Sequence, residues 1–390
     1  MTHKEQILNA CRGQIPDRIP WIPRMDLWYN AHKRAGDLPK PFRKASLRDI
    51  TKALGVGYHG VVPNFLDVRS SDDAADRCLG IYRLRNMAFE TRLRDVERTL
   101  APEGDMTRVT YHTPKGTVTG VFGYTPEMKA SGTSIPWVNE HLIKKPEDYA
   151  VLAHIYTNLE VVPMYDNYRA WQDWVGDDGV AVAFGNLAAS PMHHILHEVM
   201  PATEFYMEMY DHPAELAMLA KSMAPWFDSI FKVLCESPAE VLFVGGNFDA
   251  TITYPPFFEE YILPWVARFA EMAHAKGKLV LNHTDGENEG LTSLYKKCGF
   301  DIADSFCPVP MTRMTLPQFM KELPDTTVWG GIPSVALCKE SMSDRDFEAM
   351  VDRTISFARG RAHLILGIAD TMPPNASWDR VLRITELVSH

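Results

Sequence analysis

The sequence has none of the short motifs that name a chemistry most directly. It contains no Walker-type loop, so no P-loop phosphate cradle is written into it. It has no GxSxG elbow, no HExxH helix and no CxxC pair, which removes the serine-hydrolase, zinc-protease and zinc-ribbon patterns. Its six cysteines (Cys11, Cys78, Cys235, Cys298, Cys307 and Cys338) are scattered, and in so long a chain they read as free thiols of a reducing cytoplasm. No run approaches the roughly 18 apolar residues of a membrane span. The opening "MTHKEQILNACRG" is charged and amphipathic and lacks the apolar core of a secretory signal. Low-complexity tracts, solenoid repeats and Gly/Ser linkers are missing as well. A basic excess is also missing: the net charge is −10, so no nucleic-acid partner is expected. An anionic small molecule stays compatible, because a few local arginines suffice to hold one.

What is present is a recurring unit. Eight apolar, β-branched runs end in polar residues: 18–26, 60–67, 180–186, 241–249, 279–285, 301–306, 327–332 and 363–370. Helical segments follow most of them. Near-continuous apolar runs are those of strands buried on both faces, and alternation with helices predicts a parallel sheet. The expectation is an α/β chain forming a (β/α)8 TIM barrel, one domain over 1–390, with a doubly wound open sheet as the alternative. Such a barrel places its site at the C-terminal ends of the strands. Those ends here carry Arg24, Asp26, Asp67, Asn186, Asn247, Asp249, His283, Asp285 and Asp370. The stretch "TRVTYHTPKGTVTGVF" alternates on both sides of Pro114–Gly116 and predicts a β-hairpin excursion in the N-terminal half, an insertion over about 100–135.

The sharpest candidate lies in "LVLNHTDG". Residues two apart on a strand point the same way, so His283 and Asp285 should face one space. With Asp370 they make a trio that suits a metal ion, or acid–base work without one. Helix capping by Asp285 is the plain alternative. Asn247 and Asp249 form a second such pair, after Gly245 and Gly246. In "SPMHHILHEVM", His193 and His197 are spaced to share a helix face. Cys307 and Cys338 read as buried thiols. Trp28, Tyr29, Phe65, Tyr124, Trp137, Trp171, Trp174, Met192 and Tyr254 are candidates for lining the barrel mouth around a flat ligand.

Five segments in order carry a resemblance: "EQILNACRGQIPDRIPWIP", "NFDATITYPPFFEEYILPWVARF", "LVLNHTDG", "GFDIADSFCPVP" and "GIADTMPPNASWDRV". Together they resemble the uroporphyrinogen decarboxylase superfamily, over nearly the whole chain. The resemblance implies a (β/α)8 barrel and one of two chemistries: cofactor-free decarboxylation, or methyl transfer involving corrinoid proteins, often with zinc held by a His-x-Cys pair and a distant Cys. Here the pair is His283-Thr284-Asp285 and the distant position falls at Asp370 or Ala369. A carboxylate site is harder than a thiolate one and does not suit a thiol acceptor such as coenzyme M. The decarboxylases' "QAGRY" segment corresponds to "RMDLWYNAHKRAG", which does not suit a tetracarboxylated macrocycle.

The resemblance therefore implies a methyltransferase that moves a methyl group from a small donor, such as a methoxylated aromatic, to cobalamin on a corrinoid protein. His283, Asp285 and Asp249 are its candidate catalytic groups, and His283, Asp285 and Asp370 its candidate zinc ligands. Arg24, Trp28, Tyr29, Asn186, His193 and Asn247 are its candidate substrate contacts, with Arg24 holding an anionic donor. The alternatives are a decarboxylase of a small aromatic or heterocyclic acid, served by Arg24 and by Asp67 or His283, and a binding protein without turnover. The resemblance also points to a homodimer, although no residue pattern marks an interface.

Overall fold

The computed structural model describes residues 1–61 and 74–389. Most of the expected run 60–67, with Phe65 and Asp67, lies outside the described residues.

Among the described residues twelve strands are formed: β1 (Phe89–Leu93), β2 (Glu97–Glu103), β3 (Met106–Thr113), β4 (Gly116–Gly123), β5 (Trp137–Glu140), β6 (Leu159–Pro163), β7 (Val182–Asn186), β8 (Val241–Val244), β9 (Leu279–His283), β10 (Ile302–Phe306), β11 (Thr327–Pro333) and β12 (Leu364–Ala369). Strands β7 to β12 form one parallel sheet in sequence order. Every residue of β7, β8, β10, β11 and β12 is buried, which explains their unbroken apolar character. Helices alternate with these strands. The longest is Pro213–Glu236, and Thr2, Ser46 and Thr315 open others with capping boxes.

Two short segments border the sheet. Ile22 N–H donates to Leu366 O at 2.9 Å, and Leu366 N–H to Pro20 O at 2.9 Å. Gly57 N–H donates to Trp21 O at 3.1 Å, and Val182 N–H to Gly60 O at 3.0 Å. The run 18–26 thus lies along β12 but makes only an isolated bridge at Trp21. Pro20 and Pro23 flank that residue and have no N–H to offer a ladder.

The region before β7 departs from the sequence reading in extent. β3 and β4 pair antiparallel, with Thr113 opposite Gly116 across a two-residue turn. They are the middle of a four-stranded sheet, β2-β3-β4-β5, and β1 pairs separately with β6. The four-stranded sheet runs from Glu97 to Glu140. Val109, Tyr111 and Val118 bury one face of the sheet. Tyr111 also donates to the buried Asp76 carboxylate at 3.0 Å, which ties the sheet to the segment before it.

Candidate active site

The site grows from the ends of neighbouring strands. β9 and β10 run in parallel register with His283 beside Asp304. That register sets an imidazole next to a carboxylate, and His283 Nδ1–H donates to Asp304 Oδ2 at 2.7 Å. The other ring nitrogen faces the two carboxylates named from sequence. His283 Nε2 lies 3.3 Å from Asp370 Oδ1 and 3.7 Å from Asp285 Oδ2. His283 is buried, while the side chains of Asp285 and Asp370 are 27% and 35% exposed, so the trio opens toward solvent.

Further groups complete the cluster. Arg24 donates to Asp370 Oδ1 at 2.5 Å and to Asp26 Oδ1 at 3.1 Å. Ser305, the residue after Asp304, donates its hydroxyl to Asp370 Oδ1 at 2.8 Å. His59 Nε2 lies 3.5 Å from Asp304 Oδ1. The glycine at 246 makes room for this geometry, since a Cβ there would sit 2.9 Å from His283 Cβ.

The electrostatics separate the carboxylates. Burial disfavours a charged His283, but Asp285, Asp304 and Asp370 outweigh it and hold the imidazole well above its usual pKa. Burial would raise Asp370, yet Arg24 and His283 bring it far below the carboxylate range. Asp304 is likewise buried but bonded to His283 and His59, and falls to about 2. Asp285 goes the other way: burial raises it, and His283 offsets only part of that rise. Carboxylates driven apart by their surroundings are a sign of divided acid and base roles.

The remaining candidates fall in three places. Asn186, His193 and Asn247 lie around the loops after β7 and β8. Asn186 is within 3.3 Å of His194, and Asn247 donates to His197 Nε2 at 2.8 Å. The Asp249 carboxylate is engaged by backbone. Oδ1 accepts from Thr251 and Ile252 N–H, and Oδ2 accepts from Glu287 N–H at 2.9 Å, so the side chain pins two loops together. Trp28 and Tyr29 both sit on the buried face of the helix Asp26–Ala35. Trp28 stacks on Trp378 at 4.8 Å, and Tyr29 hydrogen-bonds Ala45 O and Lys33. All six cysteines are buried and unpaired. Among the described residues, no helix is long and apolar enough to cross a membrane.

The sequence reading missed Asp304, Ser305 and His59. Asp304 had a visible signal, an acid in the middle of the apolar run "DIADSF". A buried strand tolerates a charge only when something pairs with it.

A family model described as "Uroporphyrinogen decarboxylase (URO-D)" matches residues 117–390. The chain belongs to the uroporphyrinogen decarboxylase family. The matched span holds His283, Asp285, Asp304 and Asp370, whereas Arg24 and His59 lie before it. The family's fold is the TIM barrel, in keeping with the parallel α/β sheet. Among solved structures, a methyltransferase from Methanosarcina mazei is similar in fold, with a TM-score of 0.53 at 12% identity, covering 100% of this chain and 98% of that one. No curated protein matches the chain in sequence.

Proposed function

We propose that this family member is a methyltransferase that moves a methyl group from a small methoxylated donor to a corrinoid carried by a partner protein. The observation that carries the reading is the enclosure of His283 Nε2 by Asp285 and Asp370, with Asp304 fixing the other ring nitrogen. The hydrogen bonds from 20–22 to β12, and from 57–60 to 21 and to β7, support a closed ring of eight strands. His283 would then stand at its C-terminal mouth, where barrel enzymes work.

In this reading the methyl carbon leaves the donor oxygen for the corrinoid, and the oxygen takes a proton from His283 Nε2. Such help matters because an uncapped phenoxide leaves poorly, and general acids contribute roughly 10²–10⁴-fold. Asp304 holds the ring upright and keeps it charged. Asp370, anchored by Arg24 and Ser305, stabilises the imidazolium. The raised Asp285 is the group through which a proton returns. Arg24 is answered by two carboxylates and serves the cluster rather than an anionic donor.

The same atoms suit zinc. Ligand atoms of His283, Asp285 and Asp370 all lie within 4.8 Å of one another, and Asp285 Oδ1 is buried with no hydrogen-bond partner among the described residues. Asp304 on the far ring nitrogen is the carboxylate that commonly backs a metal-bound histidine. A zinc ion held there would supply a Lewis acid for the donor oxygen. Proton and metal exclude each other at Nε2, so zinc content discriminates between the two forms.

The test is to assay purified protein for zinc and then for methylcobalamin formation from cob(I)alamin and 2-methoxyphenol. Methyl transfer supports the reading. Release of CO2 from an aromatic acid, with no methyl transfer, would replace it with the decarboxylase of the alternative.

A further inference from the structure

A second space is lined by none of the residues of the His283 cluster. It is a cavity of about 570 Å³ between the π-helical turn Ile195–Val199 and the loop after β8. That volume is within the range of small-molecule sites, ~300–1,000 Å³. Ser190 caps the preceding helical turn by accepting from His193 N–H, and the helix then widens into the π turn, a form frequent at functional sites. The result is that His193 and His197 both line the cavity.

His193 is 1% exposed, and its Nδ1 accepts from Ala189 N–H at 3.1 Å. Burial, with His197 and His194 nearby, holds its pKa well below the usual value, so the ring is neutral with its proton on Nε2. That Nε2–H has no partner among the described residues. His141 is its complement. Nδ1–H donates to Val199 O at 3.0 Å, which leaves Nε2 as an acceptor, and burial lowers its pKa too. Two of the other polar groups, His197 and Glu198, are engaged within the protein. His197 is bound at both nitrogens, to Glu198 and to Asn247. The buried Glu198 is answered by Arg77, Tyr82 and His197. Trp137, Leu196, Met200 and Ile252 supply apolar wall.

We infer that this cavity binds an uncharged planar molecule carrying both a hydroxyl and an ether or carbonyl oxygen, the pattern of a methoxyphenol. Its ether oxygen accepts from His193 Nε2–H and its hydroxyl donates to His141 Nε2. The site is a binding site of its own, apart from the transfer step at His283.

The experiment is titration of the full chain, histidine-labelled with 15N and stripped of metal, with 2-methoxyphenol. A saturable shift of the His193 Nε2 resonance is expected. Loss of the hydroxyl in 1,2-dimethoxybenzene, or a carboxylate in 4-hydroxy-3-methoxybenzoate, should weaken binding about fivefold or more. His193→Phe should weaken 2-methoxyphenol by a similar factor, and His193→Gln, which keeps a donor, should recover part of it. Absence of a saturable shift, equal binding of the carboxylate, or a folded His193→Phe that binds unchanged would overturn the inference. Where His193→Phe does not fold, the ligand series on the native chain decides. Binding without methyl transfer removes only the methyl-transfer reading, and methyl transfer without the His193 shift removes only this inference.

Discussion

At the scale of single residues, the cluster is a chain of alternating charges: Asp26, Arg24, Asp370, His283, Asp304. Each member is tolerable inside the protein because its neighbours answer it, and removing one exposes the cost of the rest. Arg24→Met should destabilise the protein by about 3–5 kcal/mol in urea unfolding, since Asp370 and Asp26 lose their shared cation. Adding Asp370→Asn should recover part of that loss, and a double mutant no better than the sum of the singles would show that the pair is not coupled. This chain also explains what sequence could not supply. His283, Asp285 and Asp370 were legible because each closes a strand. Asp304 stands one strand over, and only the parallel register of β9 and β10 brings it to the ring. Arg24 was legible as a candidate, but its bond to Asp370 was not, because that partner lies 346 positions away.

At the scale of elements, two features invite measurement. The turn after β8 lets His283 approach only because position 246 has no side chain. Gly246→Ala should move the imidazole away from Asp304 and cut turnover at least about tenfold, because small misplacements of reacting groups are expensive. Unchanged turnover in that variant would mean that the approach has no bearing on the chemistry.

The buried histidines of the π-turn region make the fold acid-sensitive. Burial, only partly opposed by Glu198, takes His194 down to about 4 from an ordinary value of 6.5. Between those values the unfolded chain takes up a proton that the folded ring refuses. Stability should therefore fall as pH drops through this window, by roughly 2 kcal/mol from pH 7 to pH 5 for this residue. Urea unfolding across that range checks the slope, and His194→Gln should flatten it whatever its absolute stability. The sequence reading saw His193 and His197 as helical neighbours. It did not foresee the π turn, because the extra residue is a matter of backbone hydrogen bonding that side-chain period does not record.

At the scale of the whole molecule, the parallel half was the readable half. From β7 onward the apolar runs are strands, because burial on both faces demands unbroken apolar sequence. The N-terminal half resisted. The strands β2 and β5 are exposed at many positions and short on apolar signal, so only the β3–β4 turn stood out. The segment 18–26 was a candidate strand, and its prolines leave it a single bridge. The helix Asp26–Ala35 was hidden behind residues taken for ligand contacts, although Gly36 in the left-handed conformation ends it in an ordinary way.

The most direct measurement is the rate of methylcobalamin formation from cob(I)alamin and 2-methoxyphenol, followed anaerobically for the native chain and for Asp285→Asn. The account expects steady methyl transfer by the native protein and a fall of about 100-fold or more in the variant, with its melting temperature little changed. No methyl transfer by the native protein, with or without added zinc, or a variant as fast as its parent, would contradict it.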